Sequence, residues 1–420
     1  IQETSHKPCF DAYNMVRTLD CRLMRHTGGQ LPQFDIDAVR AEIHALDKSI
    51  YMNTGGSGPL PNSVAQDIIS AYQDVAENGA DIPTVRGPVR DRFESARQVS
   101  AGLFGVDSSE IALFRAISEG ISTVAYGIDW NPGDEVIISN EEHPTGIIVW
   151  LNLAERRGIK IKKLQISLDR EELLSRFSDL LTDRTRLVAI SHVTTDTGTR
   201  LPAKEMCDIA HARNIPVILD AAQSAGQFPV DLRDIDVDFY ACTGHKWLLG
   251  GWGTGIFYVK TEWIPKLEVS WSGSGAGDWN RQTDDLEFAD SAHKFEFGGR
   301  HDTLYSGMSK GIEFVQSVGL ENVETQSRAL TDRLKAAISE IDGATLRSPE
   351  PNEFSTGIVT FSVSGLSGTD LNAQMFERWR ILGRPALNHS SMRLSCAFFN
   401  SHQEIDTVID AISALANENR

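Results

Sequence analysis

Seven short, mostly apolar runs alternate with stretches of helical periodicity between residues 111 and 259, and this alternation narrows the fold more than any other feature of the chain. The runs are IALF (111–114), VIISN (136–140), IKIKKLQI (159–166), RLVAISHV (186–193), PVILDAAQ (216–223), VDFYACT (237–243) and GIFYV (255–259). Between most of them lie segments such as ISEGISTVAYGI and TGIIVWLNLAERRG, whose apolar residues recur three and four apart. Strands joined by helical crossovers run parallel and are covered on both faces. The expectation is a large, mostly parallel α/β sheet with its chemistry at the carboxyl ends of the strands.

The flanks read differently. Before the first run, FDIDAVRAEIHAL has helical spacing and leads through IYMN into the turn TGGSGPLP; two further helices follow, NSVAQDIISAYQDVAENG and RDRFESARQVSAGLFGV. After two long helical stretches between 309 and 341 come GIVTFSV, a helix over 369–379, MRLSCAF and the helix EIDTVIDAISAL, which together read as a smaller α+β domain. The expected division is a segment 34–58 joining the small domain, a large domain over 59–310 and a small C-terminal domain over 311–420. Residues 1–33 lack the continuous apolar core of a signal peptide and are expected to form a poorly ordered extension. The stretch SWSGSGAGDWNRQTDDLEFADSAHKF, rich in glycine and acid, reads as a mobile loop that shapes the pocket.

Composition removes several classes of function. A formal charge of −18 is the wrong sign for neutralising phosphates along a nucleic acid. No apolar run reaches the roughly 18 residues of a membrane span, so no membrane partner is expected. The five cysteines, Cys9, Cys21, Cys207, Cys242 and Cys396, form no CxxC pair, which leaves neither a zinc framework nor a disulfide framework. A cytoplasmic setting and no metal are the expectation.

Two residues at strand ends carry chemistry. Asp220 closes the apolar run PVILD, where it either caps the next helix or faces a ligand. Lys246 sits in TGHKWLLGGWGTG with apolar sequence on both sides. Such a lysine is either a snorkelling surface residue or an amine made nucleophilic by desolvation. Together they match the needs of pyridoxal phosphate, which takes an amine for its Schiff base and a carboxylate for its pyridine nitrogen. The glycines that follow lack the GxGxxG spacing of a dinucleotide fold and read as a tight turn into GIFYV.

DAAQSAG followed by TGHKWLLGGWGTG resembles the fold-type-I pyridoxal-phosphate enzymes of aminotransferase class V, and the likeness runs from about Phe34 to Asn417. That family includes cysteine desulfurases, selenocysteine lyases, cystine C–S lyases and isopenicillin-N-epimerase-like proteins. The resemblance implies that Lys246 is the Schiff-base lysine, Asp220 the partner of the pyridine nitrogen and Gln223 a donor to the phenolic oxygen. His143, in NEEHPTG, corresponds to the histidine stacked on the ring; Thr243 and His245 correspond to phosphate ligands. In the phosphate loop FRAISEG, Ile117 replaces a customary threonine and leaves that work to Ser118 and backbone amides. Arg393 corresponds to the clamp on the substrate's α-carboxylate, with backbone amides of Gly55 and Gly56 nearby.

Two departures bear on the reaction. In EFGGRHD, Gly298 to Arg300 stand where relatives carry Gly-Thr-Pro, a loop that reaches the phosphate of the neighbouring subunit. A homodimer with shared sites is implied, in which Gly299 and Arg300 either supply that contact or Arg300 joins a salt bridge. In ISHVTTDTGTRLP, Thr195 or Asp196 takes the place of an asparagine near the substrate carboxylate, and an aspartate there would repel it. The stretch ILGRPALNHSSM also lacks the loop cysteine of the desulfurases, and Cys396 reads as a buried apolar residue. The implied reaction is therefore a C–S β-elimination from cysteine, cystine or a cysteine S-conjugate, with Lys246 as base and aminoacrylate hydrolysing to pyruvate and ammonia. Two alternatives stand beside it. One is a lincosamide-type tailoring enzyme that acts on a bulky S-conjugate by elimination or decarboxylation with oxidative deamination. The other is an epimerase resembling isopenicillin N epimerase.

Overall fold

In the computed structural model, which describes residues 34–300 and 302–419, all seven apolar runs enter one sheet. Its strands are β2 (Ile111–Phe114), β3 (Glu135–Ser139), β4 (Lys160–Leu164), β5 (Thr185–Ser191), β6 (Val217–Asp220), β7 (Phe239–Thr243) and β8 (Gly255–Val259). Their order is β2-β8-β7-β6-β5-β3-β4. Neighbours from β7 to β4 are parallel, and β8 alone runs against both its neighbours. The expected mostly parallel sheet is thus observed. The segment 1–33, expected to be poorly ordered, lies outside the described residues.

Period-two alternation feeds two apolar layers. Ile137, Val188 and Leu219 point into one, with the helices α6 (Arg170–Leu180) and α7 (Ala203–His211). Ile138, Ala189 and Ile218 point into the other, beneath α4 (Ile117–Gly127) and α5 (Thr145–Arg157). Both faces being covered, the central strands are wholly buried, which explains why they read as continuous apolar runs rather than as alternations.

A second sheet of four antiparallel strands is built from β11 (Ala344–Leu346), β12 (Ile358–Val363), β14 (Arg384–Ala386) and β15 (Ser391–Ser395). The early strand β1 (Ile50–Tyr51) crosses to this region and pairs in parallel with β13 (Ile381–Leu382), and Asn53 bridges to Ser395. Residue 310, the expected division, falls inside α9 (Asp302–Val318), whose Val315 and Val318 belong to the core of the large sheet. The change of core comes later, along α10 (Leu320–Glu340): Val323 still joins the first core, and Leu330 and Leu334 join the second.

The stretch expected to be a loop contains a hairpin, β9 (Gly277–Asn280) paired with β10 (Asp285–Phe288). Strand β10 is exposed along its whole length, as is β9 apart from Gly277, so there is no buried face to write an apolar alternation into the sequence. Among the described residues no helix is long and apolar enough to cross a membrane.

Candidate active site

The carboxyl ends of β3, β5, β6 and β7 open into a cavity of about 300 Å³, which the N-terminus of α4 and the small sheet close from the sides. Lys246 lies on the turn after β7 and lines this cavity together with Asp220, Gln223, His143, Thr243 and His245. Six positions singled out on three separate stretches of sequence are therefore brought to one place. Each is carried there by the end of a buried strand.

Burial lowers the Lys246 amine to about 8; Arg393 and Arg384 push in the same direction and Asp220 opposes them. About a tenth of the amine is then neutral at neutral pH, far more than for an exposed lysine, as a nucleophile requires. Asp220, 7% exposed at the end of β6, accepts a hydrogen bond from the Ala222 N–H at 3.0 Å. Burial raises its pKa, so its carboxylate would be stabilised by a cation placed in the cavity.

His143 is neutral: burial and then Lys246 lower it to about 4. Its Nδ1 accepts from the Thr145 N–H at 3.2 Å, which puts the ring proton on Nε2. Gln223 is held at both ends of its amide, accepting from Trp247 Nε1 at 2.9 Å and donating to the Gly55 carbonyl at 2.8 Å. One N–H of that amide is left over for a ligand.

The opposite end of the cavity suits an anion. Helix α4 starts at Ile117 after Ala116, which supplies no side-chain cap. The Glu119 N–H turns back to the Ala116 carbonyl, and the amides of Ile117 and Ser118 before it are the ones left for another partner. Ser118 donates to Thr145 Oγ1 at 3.5 Å. Ile117 lines the cavity and packs towards the core of that face. Thr243 Oγ1 and His245 Nδ1 share a 2.6 Å hydrogen bond, and the His245 ring stacks on Trp252 at 3.8 Å. Burial lowers His245 to about 4, so it meets an anion as a neutral donor.

Arg393 on β15 is buried to within 1%. Its Nη1 donates to the Thr195 carbonyl at 2.6 Å, while Nε and Nη2 have no hydrogen-bond partner among the described residues. A guanidinium so placed has two donors in reserve for a carboxylate. Thr195 lines the cavity. Asp196 ties its backbone carbonyl to Thr360 Oγ1, and its charge reaches both Arg393 and His143. The glycine turn behaves differently from expectation. The Gly55 N–H donates to Ser395 Oγ and the Gly56 N–H to the Asn53 carbonyl, so neither amide is free for a carboxylate. What the turn supplies is closeness, since a Cβ on Gly55 would lie 3.2 Å from Arg393 Nη2.

Gly299 and Arg300 lie outside this cavity, along a separate groove with Arg86 and Arg90. The Arg300 guanidinium turns inward to 3.6 Å from Glu296, which Arg97 also grips at 2.6 Å. Three contributors escaped the sequence. Arg384 lines the cavity from β14, Thr145 orients His143, and Glu142 is buried behind Asp220. The repeated acid in NEEHPTG was the one available signal for Glu142.

A desolvated lysine, a buried aspartate awaiting a cation, an open helix start and an arginine with spare donors fit pyridoxal phosphate. They define an α/β enzyme scaffold for that cofactor. The family model described as aminotransferase class-V matches residues 50–408. The chain belongs to the aminotransferase class V family, and its cofactor is pyridoxal phosphate. A probable cysteine desulfurase of Methanothermobacter thermautotrophicus is 28% identical over 90% of this chain and 97% of its own length. The isopenicillin N epimerase of Streptomyces clavuligerus is 29% identical over 89% and 96%. The cystine C–S lyase C-DES, solved with cysteine persulfide, superposes with a TM-score of 0.83 at 25% identity, covering 88% of this chain and 99% of that one.

Proposed function

We propose that the protein is a pyridoxal-phosphate-dependent carbon–sulfur lyase that releases sulfur from cysteine, cystine or a cysteine S-conjugate by β-elimination. The observation that carries this reading is that, among the described residues, no accessible thiol stands at the cavity. Among the described residues, Cys207, Cys242 and Cys396 are all buried and none lines the cavity that holds Lys246. With no such thiol at the cavity to take the sulfur, the C–S bond breaks with its electron pair leaving on sulfur.

When bound, the cofactor supplies an electron sink that stabilises negative charge at the substrate's Cα. Asp220 holds the proton on its pyridine nitrogen, and the open start of α4 with Thr243 and His245 holds its phosphate. Arg393 takes the substrate's α-carboxylate through Nε and Nη2 and so fixes which bond at Cα faces Lys246. The neutral Lys246 Nζ then removes the Cα proton, a step that a pKa of about 8 allows at neutral pH. His143, uncharged and held by Thr145, offers a flat face to the ring.

A second arginine favours a substrate with a further anionic group. Arg384 stands opposite Arg393 on the neighbouring strand and lines the cavity. Cystine or an S-conjugate bearing a second carboxylate would meet it; cysteine alone would not. The similarity to isopenicillin N epimerase supports an epimerase as the second reading. It requires an acid across Cα from Lys246, for which the Nε2–H of His143 is the candidate. The proposal extends to a homodimer, in which the 298–300 loop approaches the neighbouring site.

The test is product analysis with cysteine, cystine and carboxylated S-conjugates. Pyruvate and ammonia in equal amounts support elimination, and alanine would sink it. Exchange of the Cα hydrogen without either product would establish the epimerase.

A further inference from the structure

Behind the floor of the active-site cavity lies a second void of about 10 Å³, room for about one water molecule. It is walled by Glu142, Asp220 and Trp150, with Gly146 of α5 and apolar residues of α4, β5 and β6 around them. Only Glu142 and Asp220 among these can titrate.

Three observations converge on this void. Glu142 is buried, with Oε1 accepting from the Ser191 N–H at 3.0 Å and from Ser139 Oγ, and Oε2 accepting from Ser191 Oγ. Its carboxyl group is thereby locked in position. Trp150 is fully buried, and its indole N–H has no hydrogen-bond partner among the described residues. A buried donor left unpaired is costly, and such donors are ordinarily met by ordered water. Finally, a Cβ on Gly146 would come within 3.3 Å of Glu142 Oε2, so any side chain there presses on the carboxyl group.

We propose that this void is a built water site: one water accepts from Trp150 Nε1 and donates to the carboxylates of Glu142 and Asp220. Glu142 is then a positioning residue for Asp220. The water site stands on the void and its walls. The consequence for the cofactor rests on the reading of Asp220 as partner of the pyridine nitrogen. Burial pushes Glu142 up to about 7 and raises Asp220 as well. Two buried carboxyl groups that share a water are coupled, so the charge on one alters the proton affinity of the other. Ionisation of Glu142 strengthens the hold of Asp220 on a positive partner.

The experiment is a crystal structure of the holoenzyme at a resolution that shows ordered solvent, paired with a pH titration of the cofactor's visible absorbance. A solvent peak bonded to Trp150 Nε1 and both carboxylates is expected, absent in Trp150→Phe and displaced in Gly146→Ala. Glu142→Gln should move the absorbance midpoint by about half a pH unit or more, with Glu142→Asp restoring part of the shift. A void without solvent, or an unchanged midpoint in Glu142→Gln, overturns the proposal. If instead the reading of Asp220 is at fault, the same maps show the pyridine nitrogen out of its reach.

Discussion

Arg384 and Arg393 face each other as a register pair across β14 and β15, two like charges side by side, with Arg384 on the wall of the cavity. Opposed like charges on neighbouring strands are unfavourable unless an anion comes between them. Arg393 is the more constrained, since burial first and Arg384 next destabilise its positive charge. Arg393→Ala should raise KM for every amino-acid substrate by about 100-fold, corresponding to loss of a charge-assisted pair. Arg384→Ala should raise KM for cystine by about 5-fold and leave cysteine within about 2-fold, by the same reasoning for an exposed pair. Equal losses on both substrates would remove Arg384 from the second-anion role.

Covalent capture of pyridoxal phosphate by the cofactor-free protein depends on the neutral amine. Borohydride-stable labelling should rise with pH through a midpoint at about 8, because burial lowers Lys246 from 10.5. A midpoint close to 10.5 would mean that the amine is not desolvated. Lys246→Ala should abolish labelling and leave the fold intact.

Stability should fall with pH across the acid-to-neutral range. Burial raises Glu142 from 4.5 to about 7, so the folded state holds its proton where the unfolded state has lost it. The associated stability is complete below 4.5 and is lost as pH rises through about 7. In the cofactor-free protein, Glu142→Gln should flatten this part of the urea-stability profile. Asp220 acts in the same direction, so some slope survives. A profile as steep as the wild type's would refute the assignment of the slope to Glu142.

Glu296 ties α3 (Pro83–Phe104) to the loop before α9: it binds Arg97, accepts from the Leu113 N–H and faces Arg300. Glu296→Ala leaves the buried Arg97 short of a partner and should cost about 3 kcal/mol of unfolding free energy. A change below about 0.5 kcal/mol would show that the cluster is solvated and makes no net contribution.

The large sheet was legible because its central strands are buried on both faces and write themselves as apolar runs. Lys246, Asp220 and His143 were legible because each follows such a run directly. Arg384 was not, since β14 is three residues long and exposed at that position, with no pattern to mark it. Glu142 was hidden for another reason. A glutamate is a surface residue by default, and only the serines at the ends of β3 and β5 show that this one is inside. For the 298–300 loop the sequence leaves open a phosphate contact or a salt bridge for Arg300, and within one chain Arg300 stands 3.6 Å from Glu296. The Gly55 amide is likewise spoken for by Ser395, far away in sequence, which no local motif reveals.

The turn that carries Lys246 is stitched on several sides. Gly244 donates to the Thr254 carbonyl, Gly250 to the Gly244 carbonyl, and Gly58, arriving from the other end of the chain, to the His245 carbonyl at 2.7 Å. A Cβ on Gly58 would lie only 2.2 Å from the Lys246 carbonyl oxygen, so the two backbones are pressed together. The lysine therefore stands on a fixed pedestal. Whatever distance its amine travels between cofactor and substrate is covered by rotations of its own four methylenes, while the peptide beneath holds still.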